Sequence, residues 1–290
     1  MSAAPATAVQ LARVEGTRLL RNPAVWLAAA LAGVMARADR ANELHFVLVG
    51  YAVLPVGLVL LIASAFAVRR DRSSGASELM STTPTDEPTR TVGFGLAGIA
   101  GGGLTLAVTA AVWLYRARDA ALGPTEETIP LDVLVPRPNL AQFLQGPFAV
   151  VMLCTLGVLL GRLLPAWLVV VALIFPAMVQ FLFLGLWNGT VTSAGNWWFP
   201  LSSGWVTGEW IGCTNESPMC DLPLQGFDRT TPWWHLAYLV ALAVFLLTLA
   251  TFRHRRDRMT VIAGLVAAGA VIGFAAVQAA VYTQFTPIGG

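Results

Sequence analysis

The chain has 290 residues, 56% of them hydrophobic, and a mean hydropathy of +0.68, which is typical of a polytopic membrane protein and not of a soluble domain. Its formal net charge of +2 arises from 18 arginines and 16 acidic residues, and it contains no lysine. Without lysine the chain can form neither the phosphate-binding loop of a P-loop ATPase nor a Schiff base, so both classes of enzyme are excluded.

The N-terminal region predicts an interfacial helix followed by a short first span. Residues 9–21 place Leu11, Val14 and Arg18 on one helical face, and the arginines of this segment can reach acidic lipid headgroups. The apolar run 23–36 is only 14 residues long, so it crosses a bilayer only if the arginines that follow it snorkel to the far interface. A re-entrant segment is the alternative.

A polar segment, residues 69–90, separates two uncharged runs at 46–68 and 91–115 that are each longer than the about 20 residues needed for a span. Its arginines place it in the cytoplasm. Within it the sequence predicts a short helix that begins near Ser73 or Ser74 and ends before a proline. Its two large apolar side chains are adjacent and would enter lipid headgroups or a groove of another protein; they are Leu79 and Met80.

The third span is rich in glycine, and its Gly98 and Gly102 form a small-xxx-small face that favours close helix packing over a substrate-lining role. The run 146–187 is interrupted at Arg162 and Pro165, which predicts two spans joined by a tight inner turn. Cys154 lies within that run and is predicted to be a packed core thiol.

The largest predicted outer segment, residues 188–234, holds six of the ten tryptophans, which favours a position at the outer membrane interface. Cys213 and Cys220 lie seven residues apart on this oxidising side, where a disulfide is favoured over a metal site because a metal needs more ligands. Spans at 235–252 and 260–282 complete an all-α protein with six or seven spans. The predicted inner segments hold 12 arginines and 6 acidic residues, and the outer segments hold 6 and 10, as the positive-inside rule requires.

Two short motifs resemble the permeases of ABC-2 type transporters. The first matches the pattern G-T-x-E-L-L-x-x-T-P through Gly75, Glu78, Leu79, Met80, Thr83 and Pro84. The second matches the amphipathic elbow helix of that family through Glu15, Arg18, Leu19, Leu20, Arg21, Asn22 and Pro23. The resemblance implies that residues 1–290 form one permease domain of the type V exporter architecture, with a coupling helix at 73–84. Where the family often has a basic residue after Thr-Pro, this chain has Asp86 and Glu87.

The resemblance also implies partners and a mechanism. A cytoplasmic ATPase subunit would carry ATP and Mg²⁺, this chain would hold no cofactor, and a second permease, identical or different, would complete the pathway. Such chains are mostly exporters, located in the plasma membrane with a cytoplasmic N-terminus, and the arginine-only composition indicates a bacterial source. No nucleic-acid partner is expected.

Charge within the spans bears on the cargo. Spans 2–7 contain no Asp, Glu, Lys, Arg or His if Arg162 lies in the turn and His235 at a helix end, which favours a lipid-like or amphipathic substrate. Two alternatives stay open: a membrane scaffold or sensor that binds an outer partner, and a membrane-embedded enzyme that acts on lipid.

Overall fold

The computed structural model describes residues 4–38, 47–73, 86–121, 140–165, 168–169, 231–252 and 257–283. Within these ranges the chain is entirely helical, and the helices α1 to α7 comprise Ala4–Arg21, Pro23–Ala38, Val47–Ser73, Glu87–Ala121, Leu140–Leu163, Thr231–Phe252 and Arg258–Thr283. The all-α prediction is confirmed for this part of the chain.

Five of the described helices, α3 to α7, are long and apolar enough to cross a membrane. Their apolar windows are Val53–Arg70, Glu87–Tyr115, Phe143–Leu163, Trp233–Phe252 and Arg258–Val281. The first predicted span corresponds to α2, whose apolar part, Pro23–Met35, is shorter than these. The chain therefore has the helices of a multi-pass membrane protein, while the choice between a short span and a re-entrant segment for α2 stays open.

Four helices converge at one end of the bundle. Val68 near the end of α3, Phe94 near the start of α4, Val158 near the end of α5 and Ala250 near the end of α6 form one buried cluster. We call this side the basic end, because Arg69, Arg70, Arg162 and Arg258 all lie on it.

The helix directions agree with the predicted topology. Helix α7 runs antiparallel to α6, since Gly264 lies beside Thr248 and Gln278 is bonded to His235. Both α5 and α6 end at the basic end, so the chain returns to the opposite end between them, as a fifth span requires. That predicted span lies almost wholly outside the described residues.

Glycines bring α4 and α5 into close contact. A Cβ built on Gly98 would lie 2.7 Å from the Cβ of Cys154, and one on Gly102 would lie 3.0 Å from the carbonyl oxygen of Pro147. The predicted packing role of this glycine face is thus confirmed. Cys154 is fully buried in the same contact, which confirms the prediction of a core thiol.

Helix α5 approaches α3 equally closely on its other side. A Cβ on Gly161 would lie 2.6 Å from the carbonyl oxygen of Ala65, and Gly157 faces the backbone of Leu61. Two thirds of the residues in the apolar window of α5 are buried, the largest share of the five windows. Helix α5 is therefore the centre of the described bundle.

Helix α1 lies along the first part of α4. Ala8 and Leu11 face Gly93, while Gly16 faces Ala97 and Ala100, so the two helices run in the same direction along this contact. The buried face of α1 is made by Ala8, Glu15, Gly16 and Leu19. Val14 and Arg18, on the face predicted for the interfacial helix, are exposed, and the position of that face at the membrane interface stays a prediction. Packing against α4, and not apolar spacing alone, decides which side of α1 is buried.

Hydrogen bonds of the Asn22 and Trp26 side chains stabilise the junction between α1 and α2. The side-chain oxygen of Asn22 accepts a hydrogen bond from the Ala24 amide at 3.1 Å and caps α2 ahead of Pro23. The Trp26 indole N–H donates to the Leu20 carbonyl at 2.6 Å. These bonds fix the chain where the resemblance places the end of the elbow.

Several predicted boundaries are corrected by the structure. Helix α3 continues to Ser73, so Ser73 ends a long helix and does not cap a short one. Helix α4 begins at Glu87, before Thr91, and helix α5 begins at Leu140, before Gly146. Polar residues extend each helix by a turn or more because helical hydrogen bonding does not stop where an apolar run stops.

Candidate functional site at the basic end

The candidate site surrounds the connection between α3 and α4. Ser73 is the last residue of α3, Asp86 immediately precedes α4, and the intervening segment 74–85 contains the predicted coupling residues. Those residues, Gly75, Glu78, Leu79, Met80, Thr83 and Pro84, lie outside the described part of the chain, as do Cys213 and Cys220. The structure describes the supports at both ends of the segment.

Glu15 anchors the α3 side of the connection. Its carboxylate accepts hydrogen bonds from Arg70 Nη2 at 3.2 and 3.4 Å and also pairs with Arg18 one turn further along α1. The Glu15 side chain is only 5% exposed, whereas those of Arg70 and Arg18 are 57% and 58% exposed. The buried carboxylate thus accepts charge-assisted hydrogen bonds from two arginines, and the bond from Arg70 attaches α1 to the last turn of α3.

Two of the predicted elbow residues, Glu15 and Arg18, therefore meet in one cluster. Glu15 and Arg18 form an ion pair, while Arg21 is exposed at the last residue of α1. The contact with Arg70 could not be found from the sequence, because 55 residues separate the two side chains.

Glu87 and Arg162 anchor the α4 side. Glu87 is the first residue of α4, Arg162 lies in the last turn of α5, and their side chains form an ion pair. The Arg162 side chain is completely buried, and that of Glu87 is 32% exposed. A guanidinium keeps its proton under all physiological conditions, so the burial of Arg162 depends on compensating groups such as this carboxylate.

The placement of Arg162 corrects the sequence interpretation. The sequence predicted a charge in an inner turn, but the structure places Arg162 on the helix and beneath neighbouring side chains. The sequence signal for this buried position is an arginine within an otherwise apolar run. Such residues usually face other protein groups and often lie at functional positions. Among the described residues, Glu87 is one partner of Arg162.

The residue that directly follows α5 contacts the end of α3. Arg69 Nη1 donates to the carbonyl oxygen of Leu164 at 2.6 Å. Asp86 caps α4 by accepting from the Thr89 amide at 3.2 Å. The two ends of segment 74–85 thus both contact one structure, the end of α5, through side chains of opposite charge.

A second buried polar pair lies at the opposite end of the bundle. His235 Nδ1 and Gln278 Oε1 are 2.9 Å apart and join α6 to α7, and neither residue is exposed. Trp234 and Phe274 pack beside this pair with ring centroids 6.2 Å apart. His235 lies near the start of α6, as predicted, but inside the α6–α7 contact.

Comparison of the chain with protein-family models, with curated proteins and with solved structures finds no match.

Proposed function

We propose that this chain is the membrane-spanning subunit of an ATP-driven ABC exporter, coupled to a separate ATPase subunit through residues 73–84. It would work in a bacterial plasma membrane with its N-terminus in the cytoplasm and pair with a second permease. ATP closure of the ATPase pair would displace the coupling segment, and the spans would then change the side to which the pathway opens.

The observation that carries the proposal is the attachment of segment 74–85. A segment that receives force from a partner needs firm connections to the spans, or its displacement would be lost in local bending. Here Arg69 and Glu87, on opposite sides of the segment, both bond to the end of α5: Glu87 to Arg162 in its last turn, and Arg69 to the carbonyl of Leu164, which directly follows the helix. Arg70 adds a third bond, to Glu15 on α1.

The elbow motif supports the same function. In the resembled permeases an amphipathic helix precedes the first span, and here α1 precedes α2 and lies against α4. Glu15 links that helix to the end of α3 close to the coupling segment. The elbow motif therefore contacts the helix that leads into the predicted coupling segment.

The expected cargo is lipid-like or amphipathic. Between the basic end and the His235–Gln278 pair, the described parts of α3 to α7 present mainly apolar, glycine, hydroxyl and thiol side chains, and the amide of Gln145 is buried among them. Such an interior offers no charged ligands for sugars or ions. Stimulation of ATP hydrolysis by sugars or ions, and not by amphiphiles, in the reconstituted transporter would contradict this part of the proposal.

The direct test replaces Leu79 with Asp. If Leu79 enters a groove of an ATPase, the carboxylate is buried without a partner, and ATP-driven export should fall at least tenfold while membrane insertion is unchanged. Ser81→Asp is the matched control, because it adds the same charge to the same segment without removing an apolar side chain. Affinity purification in mild detergent should recover a stoichiometric ATPase subunit with the wild type and with Ser81→Asp, and less with Leu79→Asp.

Two outcomes would redirect the assignment. Normal export by Leu79→Asp would remove the coupling role of residues 73–84. Recovery of a stable outer-face protein in place of an ATPase would favour the scaffold or sensor function and make residues 188–234 the binding region.

A further inference from the structure

Arg162 is the largest side chain that the described residues bury completely, and it lies in the last turn of the most buried helix. Its partner Glu87 is the residue at which the chain re-enters the bundle after segment 74–85. This ion pair therefore joins the start of α4 directly to the centre of the bundle.

The two sides of segment 74–85 are held unequally. On the α3 side, Arg70 is 57% exposed, so solvent and ions screen its attraction to Glu15. On the α4 side, Arg162 is fully buried, and little screening reaches its contact with Glu87. The α4 side is thus the stiffer attachment.

Close packing then connects α5 to its neighbours. Gly157 and Gly161 place the backbone of α5 against that of α3, and Gly98 places α4 against Cys154 of α5. Contacts of this kind cannot be compressed, so a shift of α5 has to shift the helices around it.

We infer that Glu87 and Arg162 are positioning residues for energy coupling: their ion pair transmits the displacement of segment 74–85 to α5. This inference rests on the proposed function and adds the route by which the motion enters the spans. Arg69 adds a bond on the α3 side of the segment, but its acceptor, the backbone carbonyl of Leu164, carries no charge.

The test measures movement of α5 in the complex with the ATPase, so it does not depend on knowing the cargo. Spin labels are attached at Leu140→Cys, at the far end of α5, and at Met259→Cys, at the start of α7; both native side chains are exposed, by 64% and 72%. Electron–electron resonance then gives the distance between the labels with and without ATP. The wild-type complex should show an ATP-dependent change of distance.

Glu87→Gln and Arg162→Gln should each reduce that change to less than half, with ATPase binding retained and ATP hydrolysis within about twofold of wild type. A purely structural defect would lower assembly and hydrolysis together. The exchange Glu87→Arg with Arg162→Glu should recover part of the movement. Arg13→Gln is the matched control, because Arg13 is an exposed arginine of α1 that belongs to neither ion pair, and this variant should keep the movement. If Arg162→Gln fails to assemble, Arg162→Lys, which keeps the charge but loses the planar fork, replaces it.

The possible results distinguish failure of this inference from failure of the proposed function. An unchanged ATP-dependent distance in Glu87→Gln and in the Arg162 variant would overturn the inference, and so would the absence of any such change in a wild-type complex that hydrolyses ATP. Failure of the wild-type chain to bind an ATPase would instead refute the proposed function.

Discussion

Replacement of Gly161 by alanine tests the packing on which the central helix depends. The added Cβ would lie 2.6 Å from the carbonyl oxygen of Ala65 and 3.0 Å from its Cα. Both atoms belong to the backbone of α3, so no side-chain rotation can relieve the contact. Ordinary contact begins at 3.4 Å, and α3 and α5 would therefore have to separate by about 0.8 Å at this point.

The expected loss of stability is the difference of two effects. Overpacking of one carbon typically costs about 1–3 kcal/mol, and a rigid backbone neighbour places this site near the upper value. The higher helix propensity of alanine raises the free energy of unfolding by at most about 1 kcal/mol. The net loss is about 2 kcal/mol, which corresponds to a fall in melting temperature of roughly 4 °C for a chain of this size.

The assay is thermal unfolding in detergent, followed by size-exclusion chromatography with fluorescence detection. Gly103→Ala is the matched control, because a Cβ at Gly103 meets no atom within 4 Å. It should melt at the wild-type temperature or slightly above it. Equal melting temperatures for Gly161→Ala and Gly103→Ala would refute the close approach of α3 and α5.

Two further predictions concern α7. Gln278→Leu removes the hydrogen bond to His235 and should destabilise the α6–α7 contact by about 1–2 kcal/mol, measured as a lower melting temperature. The double variant with His235→Leu should recover part of this loss. Additive losses in the double variant would contradict a direct bond between the two side chains. Asp257→Ala removes the cap that accepts from the Thr260 amide at 2.9 Å and should cost about 1 kcal/mol, whereas Asp257→Asn should cost much less. Identical melting of these two Asp257 variants would show that the cap does not contribute.

The helices themselves could be predicted, because a long uncharged run of apolar residues indicates a helix in an apolar environment. The runs around Gly98, Cys154 and Gly264 became helices, and the close contact at Gly98 followed from residue size alone. Helix ends were less accessible to sequence reasoning. Ser73 and Glu87 are polar, yet they belong to helices whose apolar portions end or begin several residues away.

The ion pairs of the basic end were not predictable. Glu15 and Arg70, and likewise Glu87 and Arg162, are brought together by the packing of different helices. Periodicity identified α1 as amphipathic, but apolar spacing does not select Glu15, which lies on the side of α1 that is buried in the protein. Only the tertiary partner of Glu15 explains why an acid lies on the buried side.

The position of α7 at the edge of the described bundle has a consequence for the variation that its sequence can tolerate. Only 11% of the residues in its apolar window are buried within the chain, while Ile262, Leu265 and Ile272 are each more than half exposed. A position that faces lipid requires an apolar side chain of any shape, whereas a position packed against protein also requires a particular shape. Saturation mutagenesis at these three positions would therefore read out the surroundings of α7: free exchange among apolar residues indicates hydrocarbon, and tolerance confined to one size indicates a packed helix.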